Sequence, residues 1–299
     1  MSARSFTKID APLLLAVMGG ALVGVGCQGK QDASKQQSTA SASASASSAA
    51  QASEEEHHGN ERPLKVAAAS DLAKAFEEVG RAYEAKSGKK VVFSFGSSGL
   101  LAKQIAEGAP FDVFAAANQA FADEAVRSGA CFQEGQAIYA RGRIVVWTKK
   151  GTVAPPKTLA ELKERRFTKI AIANPEHAPY GRAAKEALAS IGAWEAVSKK
   201  VVYGENIQQT FQFAQSGNAD VAIVALSLAM GAEGGAYVPI DPGLHAPLDQ
   251  KLVVCKGGSR EEGRPRKHAS GFADYVGSEE GRAIMKRYGF LLPGESPAP

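Results

Sequence analysis

The residues best placed to do chemistry are serines at two matching corners. In "KVAAASDLAKAF" (65–76) an apolar run stops at Ser70, and in "VVFSFGSSGLLAKQI" (91–105) another stops at Ser97 and Ser98; each then continues with helical periodicity. A serine at such a corner has a ready structural job, accepting a bond from an orphaned N–H of the new helix. The same corner is an anion site, because free N–H groups and the positive end of the helix dipole point at whatever sits there. Three further corners carry similar signals: Asn118 after "DVFAAA", then "NPEHAPYGR" (174–182), then "GENIQQ" (204–209). Hydroxyls and helix starts gathered in one cleft would supply neutral donors converging on an anion. His177, in "NPEHAP", is the best candidate for a proton carrier, although a histidine in a loop leading into a helix is more often structural. "GSSGLLAKQ" lacks the Lys-Ser/Thr pair of a phosphate-binding loop.

The elements that must position these corners alternate. Strand-like runs such as "LKVAAA", "KVVFSFG", "DVFAAAN", "KIAIANP" and "DVAIVALS" are separated by amphipathic stretches such as "LAKAFEEVGRAYEAKSG", "LAELKERR" and "GRAAKEALASIG". This order predicts an α/β fold with mostly parallel sheets covered on both faces. Open sheets of this kind bind ligands at the carboxyl ends of their strands, where the serine corners fall. Residues 63–299 are many for one doubly wound sheet and suit two lobes. The run at 137–149 reads as a strand leaving lobe 1 and "LDQKLVVC" (248–255) as the return, so lobe 1 is 63–141 plus 250–296 and lobe 2 is 142–249. "ASGFADYVGSEEGRAIMKRYGF" reads as a final helix packing back towards lobe 1. Trp147 and Trp194 read as core or lobe-interface residues. Cys131 and Cys255 could pair in an oxidising compartment, but spacing alone does not bring them together.

The first sixty residues read differently. Arg4 and Lys8 precede an apolar run (11–26) that is short and glycine-rich for a membrane span, so 1–30 reads as an export signal. Cys27 directly follows a small residue and resembles the acylated cysteine of a bacterial lipobox, although Gly24 stands where leucine is usual. An ordinary cleaved signal, with Cys27 removed, is the alternative. Residues 31–62 are a Ser/Ala-rich stretch with almost no large apolar side chain, which reads as a disordered tether. His57 and His58 within it read as solvated. The protein is therefore expected outside the cytoplasm, in the periplasm or on a membrane it reaches through Cys27. The net charge is +4, and residues 1–62 carry five Lys/Arg against six Asp/Glu, so the excess lies in the head. That balance suits an anionic ligand and is too scattered for nucleic acid.

The strings "AAASDL", "FSFGSSGLLAKQIAEGAPFDVFAAAN", "IANPEHAPYGRAAKEALASIGAW", "GENIQQTFQFAQSGNADVAIVALS" and "RYGF" together resemble the periplasmic molybdate-binding protein family, ModA. The resemblance runs from about residue 64 to 292, and "PEHAPYGRAAKEAL" is its most specific part. It implies a type II periplasmic binding protein: two α/β lobes joined by two crossing strands, monomeric, capturing molybdate or tungstate for the permease of an ABC importer. It implies no catalytic residue and no cofactor, with molybdenum present only as the bound oxyanion. Carried over by position, the ligand serines fall on Ser70 and Ser98, and main-chain N–H donors on Tyr180 and Ile207. Two positions depart from the pattern. Ala225 stands where some members have a ligand tyrosine, whose hydroxyl Tyr180 or Ser227 could replace. Asp71 stands where some members have an uncharged residue. A carboxylate there could accept the proton of hydrogen phosphate, so phosphate remains open as a ligand, as does sulfate; the plainer role for Asp71 is a favourable charge in a first helical turn. An enzyme on the same fold is the third reading.

The Cys27 reading carries its own test. A Cys27→Ser variant is expected to move from the membrane to the soluble fraction after export; a wild-type protein already wholly soluble would rule the anchor out.

Overall fold

The computed structural model describes residues 62–257 and 267–296. The export signal, Cys27, His57, His58 and the tether up to residue 61 lie outside the described residues. The order of elements is β1 (Leu64–Ala69), a 3-10 turn (Ser70–Leu72), α1 (Ala73–Ser87), β2 (Val91–Gly96), α2 (Ser98–Ala106), β3 (Val113–Ala116) and α3 (Gln119–Arg127). It continues through β4 (Ala137–Gly142), β5 (Ile144–Lys149), a 3-10 turn (Leu159–Lys163), β6 (Ile170–Ala173), α4 (Pro179–Ser190), α5 (Trp194–Ser198), β7 (Val201–Gly204) and α6 (Ile207–Ser216). Then come β8 (Val221–Ala225), the short α7 (Leu226–Ala229), β9 (Gly235–Pro239), a 3-10 turn (Pro242–Leu244), β10 (Leu248–Val254), α8 (Lys267–Gly277) and α9 (Glu279–Arg287).

Two five-stranded sheets result, with orders β2-β1-β3-β10-β4 and β7-β6-β8-β5-β9. The two share one plan. In the first, β1 runs parallel to β2 and β3, while β10 is antiparallel to β3 and β4. In the second, β6 runs parallel to β7 and β8, while β5 is antiparallel to β8 and β9. Four strands of each sheet therefore point one way, and the reversed strand is one that has just crossed from the other sheet. Helices cover both faces, so the central strands must be apolar on both sides. β3, β6 and β8 are buried at every residue.

The aromatic residues show how the helices are held. Phe76 of α1 lies against Phe93, Tyr139 and Phe272, with ring centroids 6.0, 5.9 and 6.0 Å away. Burying such a ring contributes about 1.5–3 kcal/mol, and Phe272 of α8 thereby ties the chain's last helices to the first sheet. In the second sheet Trp147 is buried edge-on to Phe211, centroids 5.1 Å apart. Trp194 is partly exposed, with the Lys185 ammonium 5.4 Å from its ring.

Several local expectations need correcting. The 137–149 run breaks at Arg143 into β4 and β5, which belong to different sheets. "LAELKERR" yields only a 3-10 turn over Leu159–Lys163, its Arg166 side chain being engaged by Glu161 and Glu164. The final helix is two helices, because Ser278 caps a new start by accepting from the Gly281 N–H. β9 had no sequence signal beyond a short tyrosine-containing run between glycines. It is an edge strand, half exposed, so no apolar alternation marks it.

Cys131 and Cys255 are joined by a disulfide. Cys131 follows α3 and Cys255 follows β10, so the closed loop spans 124 positions and contains every strand of the second sheet. Closing so long a loop removes chain entropy from the unfolded state, typically stabilising by about 2–4 kcal/mol. Reduction of the purified protein should lower its urea midpoint correspondingly, and an identical midpoint with and without reductant would show the bond to be absent.

Candidate functional site

The parallel strands of both sheets aim their carboxyl ends at one cavity. From the first sheet, β1 delivers Ser70 and Asp71, β2 delivers Ser97 and Ser98, and β3 delivers Ala117. From the second, β6 leads to Ala178, Pro179 and Tyr180, and β7 leads to Ile207. The cavity holds about 200 Å³ of atom-free space with its mouth included. All four positions expected from the sequence, Ser70, Ser98, Tyr180 and Ile207, are on its wall. Among the described residues, no lysine or arginine is.

The wall is made of helix starts. The 3-10 turn before α1 begins at Ser70, α2 begins at Ser98, α4 at Pro179 and α6 at Ile207. Their first-turn N–H groups have no carbonyl within the helix to bond. In α4 the first residue is a proline, which has no N–H, so the first available donor of that helix is Tyr180. In α6 the cap Asn206 accepts from Gln208 and Gln209, so the Ile207 N–H is not among the bonds of its own cap.

The serines are not helix caps, which corrects the structural expectation for them. Ser97 sits at the N-cap of α2, but its side chain makes no capping bond; it donates to the His177 carbonyl at 2.6 Å. Ser98 accepts from the Ala117 N–H at 2.9 Å, which leaves its own proton available. Ser70 is buried with no hydrogen-bond partner for its oxygen. Leaving a buried hydroxyl unpaired costs about 1–3 kcal/mol, so this position is disfavoured unless something else meets it.

Across the cavity the two sheets are latched together. The Gly99 N–H and the Ser97 hydroxyl both donate to the His177 carbonyl, at 2.9 and 2.6 Å. A Cβ on Gly99 would lie 2.8 Å from that carbonyl oxygen, so only glycine permits the approach. The His177 ring nitrogen Nδ1 lies 2.9 Å from the Ser97 oxygen. Since the Ser97 proton is spent on the carbonyl, Nδ1 must carry the proton here and donate. His177 and Ser97 thus form a latch and not a base with its nucleophile.

A buried polar network lies behind the cavity wall, and the sequence reading missed it. Asp71 Oδ2 accepts from the Tyr180 hydroxyl at 2.8 Å and from Gln250 Nε2. Gln250 Oε1 accepts from the Tyr139 hydroxyl at 2.9 Å, and the Asp71 carbonyl accepts from Ser227 at 2.7 Å. Tyr180 and Ser227 therefore do not replace the tyrosine hydroxyl absent at Ala225: both of their protons go to Asp71. A Cβ on Gly142 would meet the Tyr180 hydroxyl at 2.0 Å, so the end of β4 must be bare to let Tyr180 through. One signal could have exposed the network. In β10 the inward positions are Leu248, Gln250 and Leu252, and a glutamine in that apolar phase needs buried partners.

Burial raises the Asp71 carboxyl from its usual 3.8 to about 6, against the opposing effect of the bonds from Gln250 and Tyr180. Burial likewise holds the Tyr139 and Tyr180 hydroxyls above their usual range, so both remain donors.

The chain matches, over residues 64–291, the family described as bacterial extracellular solute-binding protein. It belongs to that family. Among its relatives, the molybdate-binding protein ModA of Rhodobacter capsulatus is 32% identical over 76% of this chain and 87% of its own length. ModA of Escherichia coli is 30% identical, over 78% of this chain and 90% of its own. The periplasmic molybdate-binding protein of Azotobacter vinelandii superposes with a TM-score of 0.70 at 27% identity, covering 77% of this chain and 99% of that one. This solute-binding protein shares their two-lobed α/β fold, and among its described residues no helix is long and apolar enough to cross a membrane.

The buried carboxyl has a consequence for stability. Because its folded pKa is raised, the folded state holds the proton more tightly than the unfolded chain between pH 4 and 6. Stability is lost as pH rises through that window, and above it the ionised Asp71 costs about 3 kcal/mol. Asp71→Asn keeps an acceptor for Tyr180 and Gln250 but has no charge. The variant should melt about 5 °C or more above wild type at pH 8, with the gap closing towards pH 4. A gap of constant size at both pH values would show that Asp71 is not ionised in the fold.

Proposed function

We propose that this solute-binding protein captures molybdate, and tungstate with it, between its two lobes and delivers the oxyanion to the permease of an ABC importer. The observation that carries this reading is the convergence of four helix starts and the serines Ser70 and Ser98 on one cavity, with no lysine or arginine among the described residues of its wall. Molybdate at neutral pH is a fully deprotonated dianion whose four oxygens can only accept hydrogen bonds. The Ser70 and Ser98 hydroxyls and the Tyr180 and Ile207 N–H groups are donors, and the helix ends add partial positive charge. Charge-assisted bonds contribute about 1.5–3 kcal/mol each, so a handful can sustain submicromolar binding, which needs about 8 kcal/mol net. Sulfate offers the same acceptor pattern but is smaller, so a fixed donor shell fitted to molybdate reaches it incompletely. Tungstate nearly matches molybdate in size and charge, so this shell does not separate them. The ModA relatives support the ligand, and the Ser97–His177 latch supports binding over catalysis. The same reading places the protein outside the cytoplasm as a monomer, held to a membrane through Cys27 when that residue is acylated.

Calorimetry of the full-length chain against molybdate, tungstate, sulfate and phosphate tests this directly. Tight molybdate and tungstate binding with weak sulfate binding is expected. Ser70→Ala and Ser98→Ala should each weaken molybdate by about 10- to 100-fold. Ser70→Ala should leave the melting temperature nearly unchanged, its hydroxyl having no partner in the fold, whereas Ser98→Ala should lower it by a few degrees because the buried Ala117 N–H loses its acceptor. Intact molybdate affinity in the double variant would sink the ligand assignment.

A further inference from the structure

Asp71 is an unusual wall for an anion site. Its side chain is buried, it borders the cavity, and its two oxygens are treated differently. Oδ2 is engaged by Tyr180 and Gln250, whereas Oδ1 meets no donor from any other described residue. An ionised Oδ1 beside a bound dianion would set two like charges in a poorly solvated space. A neutral Oδ1–H in the same place would be one more donor, matched to a ligand that can only accept.

The groups packed around Asp71 offer no other way to neutralise it. Tyr139 from β4 and Tyr180 from α4 are donors, and burial holds both hydroxyls in the protonated form. Gln250 from β10 is neutral, and Ser227 from α7 bonds the main chain of Asp71 and not its carboxyl. On α1 the Lys74 ammonium is directed to the carbonyls of Leu228 and Met230. The His177 imidazole is held on Ser97 at the other side of the cavity. Every hydrogen bond that Asp71 Oδ2 accepts comes from a neutral group, and no cation among the described residues pairs with it.

We propose that Asp71 is a proton-carrying member of the ligand shell, entering the complex as the neutral acid with Oδ1–H donating to the dianion, so that the cleft takes up one proton from solvent with each oxyanion. This rests on the reading of the cleft as a site for a fully deprotonated oxyanion and adds what sets its affinity. The free carboxyl, raised to about 6 by burial, is protonated at little cost near neutral pH, and a neighbouring dianion raises it further. Binding is then coupled to pH. Below about pH 6 the acid is already formed and affinity is flat; above it each binding event must draw a proton from solvent onto Asp71, and affinity falls by up to about tenfold per pH unit. Hydrogen phosphate meets the same acid as a second proton donor where it needs an acceptor, so the neutral form of Asp71 disfavours it.

The test is calorimetry of the full-length chain with sodium molybdate from pH 5.5 to 8.5, in pairs of buffers with different ionisation heats. Wild type should take up close to one proton per molybdate at pH 7.5 and weaken by about tenfold or more between pH 6.5 and 8.5. Asp71→Asn places a permanent N–H donor at the same point. It should bind molybdate without proton uptake, with flat affinity across the range, and more tightly than wild type at pH 8.5. Wild-type binding that is flat with pH and releases or absorbs no proton overturns the proposal, as does an Asn variant that keeps the wild-type slope, which would place the titrating group elsewhere. No molybdate heat at any pH sinks the functional reading and this proposal with it. Heat without proton uptake sinks this proposal alone.

Discussion

The first turn of a helix carries N–H groups that no carbonyl of that helix can receive, and the two sheets of this protein bring four such turns to one point. Isolated, each turn would be satisfied by water. Gathered in a cavity walled by Ala117, Ala178, Pro179 and Ile207, they are partly shielded from it, and their partial charges add. The repeated sheet plan serves this arrangement. In each sheet three neighbouring parallel strands deliver their carboxyl ends side by side, while the reversed strand, β10 or β5, pairs with the last of them, β3 or β8. The serines, the proline at the start of α4 and the bare Gly99 and Gly142 are local consequences of packing helix starts that closely.

The same cavity also holds a carboxyl, so attraction and repulsion are built from adjacent residues of one turn. Ser70 contributes a hydroxyl without a partner, and Asp71, next along, contributes an acid whose charge is expensive where it sits. The Tyr180 bond to Asp71 joins the second sheet's helix α4 to the first sheet's corner, and Gln250 adds a crossing strand to the same contact. Ser227 reaches the Asp71 carbonyl from α7. The state of one carboxyl is thus felt by two elements beyond its own, α4 and β10, and the fit of the two lobes around a ligand is linked to it.

Much of this was legible from the chain, and the limits are instructive. Ser70 and Ser98 announce themselves because an apolar run, a hydroxyl and a helical period are all local signals. "PEHAPYGR" likewise encodes a turn, a proline at a first helical position and the donor after it. Asp71 was visible as a residue but not as a network, since its partners Tyr180 and Gln250 are 109 and 179 positions away. Reading it as a favourable charge in a first turn placed it correctly, but helix rules alone could not show that it is buried. The 137–149 run misled because β4 and β5 are both apolar and separated by one residue, Arg143, whose guanidinium bonds the Gly289 carbonyl as the chain passes between sheets. Periodicity cannot register a change of sheet. Nor could it register the pairing of Cys131 with Cys255, which depends on where β10 returns.

That pairing makes the second lobe a closed insertion. The chain leaves the first sheet after β4, builds five strands elsewhere, and re-enters at β10, with the sulfur bridge fastening the two sides of the exit. A single peptide bond cut anywhere between Cys131 and Cys255 would therefore leave one covalent molecule, its two pieces still joined at the base. A copy nicked there keeps both halves of its cleft on the same molecule.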